Sequence, residues 1–94
     1  MITRIVKAKL KPEHLEAFRN YIPEFLKEAR CFKNNHHADC FADLDEVLHF
    51  HIYTIWSTEG ALNKFKKTEA NLEMRRKLEQ WCSAPVSAWT VENV

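Results

Sequence analysis

Apolar and polar residues alternate from Ile2 to Leu10, placing Ile2, Arg4, Val6, Ala8 and Leu10 on one side and Thr3, Ile5, Lys7 and Lys9 on the other. A period of two is that of a strand. The spacing then changes to steps of three and four. Leu15, Phe18, Ile22, Phe25, Leu26 and Ala29 form one stripe, and Glu13, Glu16, Arg19, Asn20, Lys27 and Glu28 fill the other side, which predicts a helix packed on a sheet. Pro12 suits the first helical position and Glu13 favours the positive end of the helix dipole, so the helix begins near residue 12. Pro23 cannot donate to the carbonyl of Arg19, which predicts a kink or a short break that leaves the stripe in register.

After a connection over Cys31 to Asn35, the segments Asn35 to Ala42 and Val47 to Trp56 read as a hairpin around the acidic turn Asp43-Leu44-Asp45-Glu46. With Ala42 opposite Val47, one face carries His36, Ala38, Cys40, Val47, His49, His51, Tyr53 and Ile55. The other carries Phe41, Leu48, Phe50, Ile52, Thr54 and Trp56. The second face is the more apolar and is expected to meet the helices. Ser57 or Thr58 caps a short helix through Ala61, Leu62 and Phe65, and Thr68 caps another from Glu69 to Cys82, with Leu72, Met74, Leu78, Trp81 and Cys82 inward. Glu73 stands four residues before Lys77 for a surface pair, Pro85 stops the helix, and Val86 to Val91 supplies the last strand.

The order βαββ(α)αβ predicts an α+β, ferredoxin-like antiparallel sheet with its helices on one face. The opposite face, expected to bear Val6, Ala8, Tyr53 and Ile55, then lacks a cover, and a second copy of the sheet is the simplest one. Ninety-four residues are too few for two cores, so residues 1–94 are expected to be one domain, and burial through a homodimer would add to a small core.

Charge narrows the partners. The net charge is +1, and Glu69 and Glu73 interrupt the most basic stretch, from Lys64 to Lys77, so no nucleic-acid face is expected. The only glycine is Gly60, which leaves the strand from His49 to Trp56 without the glycine of an RNA-binding sheet motif. Cys31, Cys40 and Cys82 follow neither a disulfide framework nor a zinc spacing and are expected as reduced thiols. The first eleven residues lack the apolar run of a leader and no later stretch has the length of a membrane span, so no membrane partner and a cytoplasmic location are expected.

Asp43-Leu44-Asp45-Glu46, followed by Phe50, Ile52, Tyr53 and the run Trp56-Ser57-Thr58-Glu59-Gly60-Ala61-Leu62, resembles the signature of antibiotic biosynthesis monooxygenase domains. Ala84-Pro85-Val86-Ser87-Ala88-Trp89 is similar to their closing strand. The resemblance implies a dimeric α+β barrel with a cleft in each protomer between sheet and helices. It also implies a cofactor-independent monooxygenase acting on a small quinol-like or polycyclic aromatic compound, with no cofactor. The alternative within the same resemblance is a non-catalytic dimeric barrel that binds a small ligand or serves a structural role. The haem-degrading relatives use an asparagine in the first strand, a tryptophan, and a histidine on the last helix; aligned without gaps these fall on Lys7, Trp56 and Arg75. Histidines that other members carry fall on Phe65 and Ala70, which transfer no proton, so oxygenation would need a substrate whose own anion reacts with oxygen.

The expected cleft residues are Phe50, Ile52, Thr54, Trp56, Phe65 and Leu72, and the catalytic candidates are Trp56 and Arg75. Trp56 either stacks on an aromatic ligand or fills the core at a strand end. Arg75 either stabilises an enolate or phenolate in the cleft or lays its stem along the apolar edge with its head in water. His36, Cys40, His49 and His51 share one face in the expected register; they form either a soft metal cluster or, as favoured here, a polar lining toward a second copy.

Overall fold

The computed structural model describes residues 1–94. Strand β1 (Ile2–Lys9) leads through a 3-10 turn at Pro12–His14 into α1 (Leu15–Cys31), then β2 (Asn35–Ala42), β3 (His49–Trp56), α2 (Glu59–Lys66), α3 (Glu69–Trp81) and β4 (Ser87–Glu92). The four strands form one antiparallel sheet in the order β2-β3-β1-β4, the ferredoxin-like arrangement. Pairing β1 with both β3 and β4 puts the two ends of the chain side by side, and the Asn93 N–H donates to the Met1 carbonyl at 3.0 Å.

Helix α1 runs unbroken through Pro23. The position is solvent-exposed, as is Arg19, so water can serve the carbonyl that the proline leaves free. Its stripe is buried at Phe18, Ile22, Phe25, Leu26 and Ala29. The helix ends in a turn where Asn34 takes φ 68°, the left-handed conformation that asparagine tolerates better than most residues. Thr58 and Thr68 cap α2 and α3 by accepting from the N–H groups of Ala61 and Asn71.

The hairpin register differs from the expected one by three residues. Ala42 pairs with Phe50, Cys40 with Ile52 and Phe41 with His51, because the connection takes in Val47 and Leu48 as well as the acidic turn. The Asp43 carboxylate accepts from the N–H groups of Asp45 and Glu46 at 2.9 and 3.0 Å, and the His49 N–H closes onto the Glu46 carbonyl at 3.0 Å. An odd shift reverses the faces of β2. Phe41 therefore points away from the helices and stacks edge-on against Tyr53, while Cys40 turns toward them.

Val6 and Ala8 also lie on the helix side, opposite Ile52 and Phe50, and are buried there; they do not belong to the uncovered face. Trp81 is only half-buried, between His14 and Tyr21, and Leu72 is exposed. The outer sheet face carries Ile5, Tyr53 and Ile55 at its centre, with Phe41, Trp89 and Val91 exposed around them. No element of the chain covers it. No helix is long and apolar enough to cross a membrane.

Candidate functional site

A cavity of about 650 Å3 lies between the sheet and the α2–α3 pair, a size that suits a small organic ligand. Its floor is Arg4 and Val6 of β1, Ile52 and Thr54 of β3, and Ala88 of β4. Leu62, Phe65 and Lys66 approach from α2, and Asn71, Met74, Arg75, Leu78 and Glu79 from α3. Phe25 closes the back, and the segment from Cys82 to Val86 forms the rim.

That rim is fixed where it leaves α3. Leu10 and Cys82 form a bridge, the Lys11 N–H donates to the Trp81 carbonyl at 2.8 Å, and the Ser83 N–H donates to the Lys9 carbonyl at 2.9 Å. The rim therefore leaves α3 attached to the end of β1 and reaches β4 along the edge of the cavity. The α2–α3 junction is fixed by Asn71, a buried amide whose Nδ2–H donates to the Lys66 carbonyl at 3.2 Å. This bond serves one of the carbonyls that the end of α2 leaves without a helical partner. It also sets the position of Lys66 on the cavity wall.

Of the six expected cleft residues, the structure brings Ile52, Thr54 and Phe65 to the cavity, and Arg75 joins them. Phe50 is buried against Phe18 at 4.8 Å between ring centres, away from the cavity, and exposed Leu72 projects from α3 outside it. Trp56 has no accessible surface. Its ring lies 4.9 Å from that of Phe65 and 6.1 Å from that of Phe32, and its indole N–H donates to the Thr54 hydroxyl at 2.9 Å. A ligand in the cavity would meet Thr54 and Phe65, with Trp56 behind both.

The imidazoles lie elsewhere. His49 and His51 are on the outer sheet face, where His51 Nε2 is 3.3 Å from the Asp43 carboxylate. His36 sits at the irregularity that begins β2, its Nε2 2.6 Å from the Ser57 hydroxyl. Cys40 faces the helices instead, because the hairpin register reverses β2. The expected convergence of these four side chains does not occur, and no three His, Cys, Asp or Glu side chains come together as a metal-holding group. Lys7 lies on the outer face opposite His51, so it cannot join Arg75 in one pocket.

Electrostatics add residues that the sequence pattern did not single out. Arg4 occupies a helix-facing position of β1 between Thr54 and Thr90, and its Nη1–H donates to the Thr90 hydroxyl at 3.1 Å. Burial, and then the neighbouring Arg75, hold its pKa below the ordinary guanidinium value. Lys66 is lowered by burial and by the charges of Arg4 and Arg75, with Glu59 opposing. The Cys82 thiol is pushed up by burial, so the rim presents it protonated.

The sequence model of the family described as Antibiotic biosynthesis monooxygenase matches residues 1–77. Among solved structures, the fold is similar to an antibiotic biosynthesis monooxygenase at 19% identity and TM-score 0.91, covering 100% of this chain and 99% of that one. It is similar to a protein from Mycobacterium tuberculosis at 14% identity and TM-score 0.91, over 99% of this chain and 94% of the other. A conserved protein from Methanosarcina mazei Go1 superposes with TM-score 0.92 at 17% identity, over 100% and 94% of the two chains. No protein of curated function matches the chain.

Proposed function

Since this chain belongs to the antibiotic biosynthesis monooxygenase family, we propose that it is a cofactor-independent monooxygenase acting on a small aromatic compound held in the cavity between the sheet and α2–α3. The observation that carries this reading is the cavity itself. It is large enough for two or three fused rings, walled by Val6, Ile52, Leu62, Phe65 and Met74, and bordered by cations that favour an anion.

In the reaction envisaged, the activated CH2 of an anthrone-like substrate, or of the keto form of a quinol, loses a proton to bulk water. The resulting carbanion adds to dioxygen, and the peroxide anion takes a proton back. The hydroperoxide formed at that carbon loses water, which breaks the O–O bond and leaves a carbonyl. One oxygen atom enters the product and the other leaves as water. The chain's contribution is to exclude water, to orient the ring, and to lower the energy of the substrate anion through nearby positive charge. Thr54 can donate its hydroxyl proton to a substrate oxygen because its lone pair already accepts from Trp56, which makes Trp56 a positioning residue in this reading.

The active unit proposed is a homodimer in which two outer sheet faces close a barrel over Ile5, Tyr53, Ile55, Trp89 and Val91. A cytoplasmic location fits free cysteines at Cys31, Cys40 and Cys82. A second reading, a dimer that binds an aromatic ligand without turnover, is favoured by one observation: no histidine lines the cavity, so proton abstraction has no imidazole to use.

The test is oxygen uptake by metal-stripped protein across quinols and hydroxylated polycyclic aromatics, repeated with Ala88→Phe. Ala88 is exposed on the last strand and lines the cavity, so the added ring occupies ligand space without entering the packed core. Uptake that this variant abolishes supports the monooxygenase. Binding without uptake supports the second reading.

A further inference from the structure

We infer that the ligand carries a permanent negative charge, a carboxylate or an equivalent acid group on its aromatic body, and that Arg4, Lys66 and Arg75 are its counter-charges. The inference rests on reading the cavity as the functional site and goes further by naming the class of molecule that enters it.

Three elements deliver one cation each to the same cavity: β1 supplies Arg4, α2 supplies Lys66 and α3 supplies Arg75. Glu79 is the one carboxylate among the lining residues. Arg30, Arg76 and Lys77 have acidic partners elsewhere in the chain, and no ion pair involves Arg4, Lys66 or Arg75. The cavity lining therefore holds a net positive charge, three cations against Glu79 with Glu59 near Lys66, in a partly buried setting where mutual repulsion and desolvation act together.

A cation at a cavity mouth often lays its stem on apolar surface and keeps its head in water. Exposed Arg75 can do so. Arg4 is different: it takes a sheet position between Ile2 and Val6 that faces the core, and the hydroxyl of Thr90 holds its guanidinium there. The positions flanking it across the sheet, Thr54 and Thr90, are polar too, so a polar notch crosses an otherwise apolar floor. The depressed pKa values of Arg4 and Lys66 have the same origin, since each feels Arg75 as well as burial. An anion in the notch relieves that repulsion, and the planar guanidinium can meet a carboxylate with two parallel bonds. The apolar walls then take the rings.

The experiment compares 3-hydroxy-2-naphthoate with its methyl ester by isothermal titration calorimetry, on the wild type, Arg4→Met, Lys66→Gln, Arg75→Gln and Ala88→Phe. The acid is expected to bind at least about tenfold more tightly than the ester, the scale of one charge-assisted contact. The charge-removing substitutions should narrow that ratio while leaving the affinity for the ester within about a factor of two, and Ala88→Phe should weaken both ligands. Equal affinity of acid and ester, or a ratio unmoved by the three substitutions, overturns the anion clamp and leaves the aromatic cavity standing. Absence of binding by both ligands, or binding that Ala88→Phe does not touch, overturns the clamp and the cavity reading together. Should Arg4→Met not fold, Arg75→Gln on the exposed face of α3 and Lys66→Gln on half-buried α2 decide the outcome alone.

Discussion

Replacing Trp56 by alanine is expected to damage stability far more than it damages ligand contact. The indole is fully buried, packs on Phe65 and Phe32, and donates to Thr54. Burial of about 150–250 Å2 for such a ring at about 25 cal/mol per Å2 gives roughly 4–6 kcal/mol, an upper value because unfolded chains already bury part of their surface. Truncating a tryptophan buried in a core costs about 3–5 kcal/mol. For a chain of 94 residues, an unfolding entropy of about 2 cal/mol/K per residue converts the middle of the range to a fall of roughly 20 °C in Tm. Trp56→Phe keeps a ring against Phe65 but loses the hydrogen bond and part of the volume, so about 1–2 kcal/mol is expected. The assay is urea unfolding followed by far-ultraviolet circular dichroism at one fixed protein concentration, because association would shift the midpoint. A loss below about 0.5 kcal/mol for Trp56→Ala, within the range of an ordinary surface change, combined with lost affinity for a naphthoate, would refute the reasoning and make the indole a ligand wall.

Light scattering at micromolar concentration should give the mass of two chains for the wild type and of one for Trp89→Glu, which sets a charge on the uncovered sheet face; a wild-type monomer at every concentration contradicts this. Titration with a thiol reagent at pH 8 should modify exposed Cys31 quickly and Cys40 slowly, since burial pushes the Cys40 thiol up to about 11 and leaves about one molecule in a thousand as thiolate. Equal rates at the two sites would show that the helix packed on β2, α1, does not cover Cys40. The Asp43 carboxyl is held below its ordinary value by the N–H groups of Asp45 and Glu46 and then by His51. A depressed folded-state pKa contributes stability above about pH 4, the unfolded value, that is lost as pH falls through the folded one. Asp43→Asn should therefore flatten the acid limb of stability against pH, and an unchanged limb would remove Asp43 from the account.

The architecture was legible because each element has one dominant period: two in β1, three to four in α1, and a threonine before each of α2 and α3. The hairpin register was not. An acidic tetrapeptide reads as a turn by composition, but whether Val47 and Leu48 belong to the strand depends on how the Asp43 carboxylate folds the backbone. That odd offset separated Cys40 from His49 and His51 and moved Phe41 outward. The side of Val6 and Ala8 is illegible for a related reason: alternation says which residues share a side, and only pairing with Phe50 and Ile52 says which side the helices take.

The cavity was half legible. Ile52, Thr54 and Phe65 follow from strand parity and helix phase, Arg75 stays open in the sequence between cleft and surface, and Arg4, Lys66 and Asn71 are polar residues whose places depend on tertiary contact. Arg4 did carry a signal, a charge on the otherwise apolar side of β1. Trp56 shows the opposite difficulty. A large aromatic residue at a strand end serves equally as wall or core, and only its burial behind Thr54 separates the two.

The central claim is that ligands enter between the sheet and the α2–α3 pair. Its most direct test is a map of backbone amide shifts in 15N-labelled protein as 3-hydroxy-2-naphthoate is added. The account predicts that the largest changes cluster at Thr54, Leu62, Asn71, Arg75 and Ala88, with His49, His51, Tyr53 and Trp89 unmoved. Changes concentrated at those four outer-face residues, with the cavity amides silent, would contradict it.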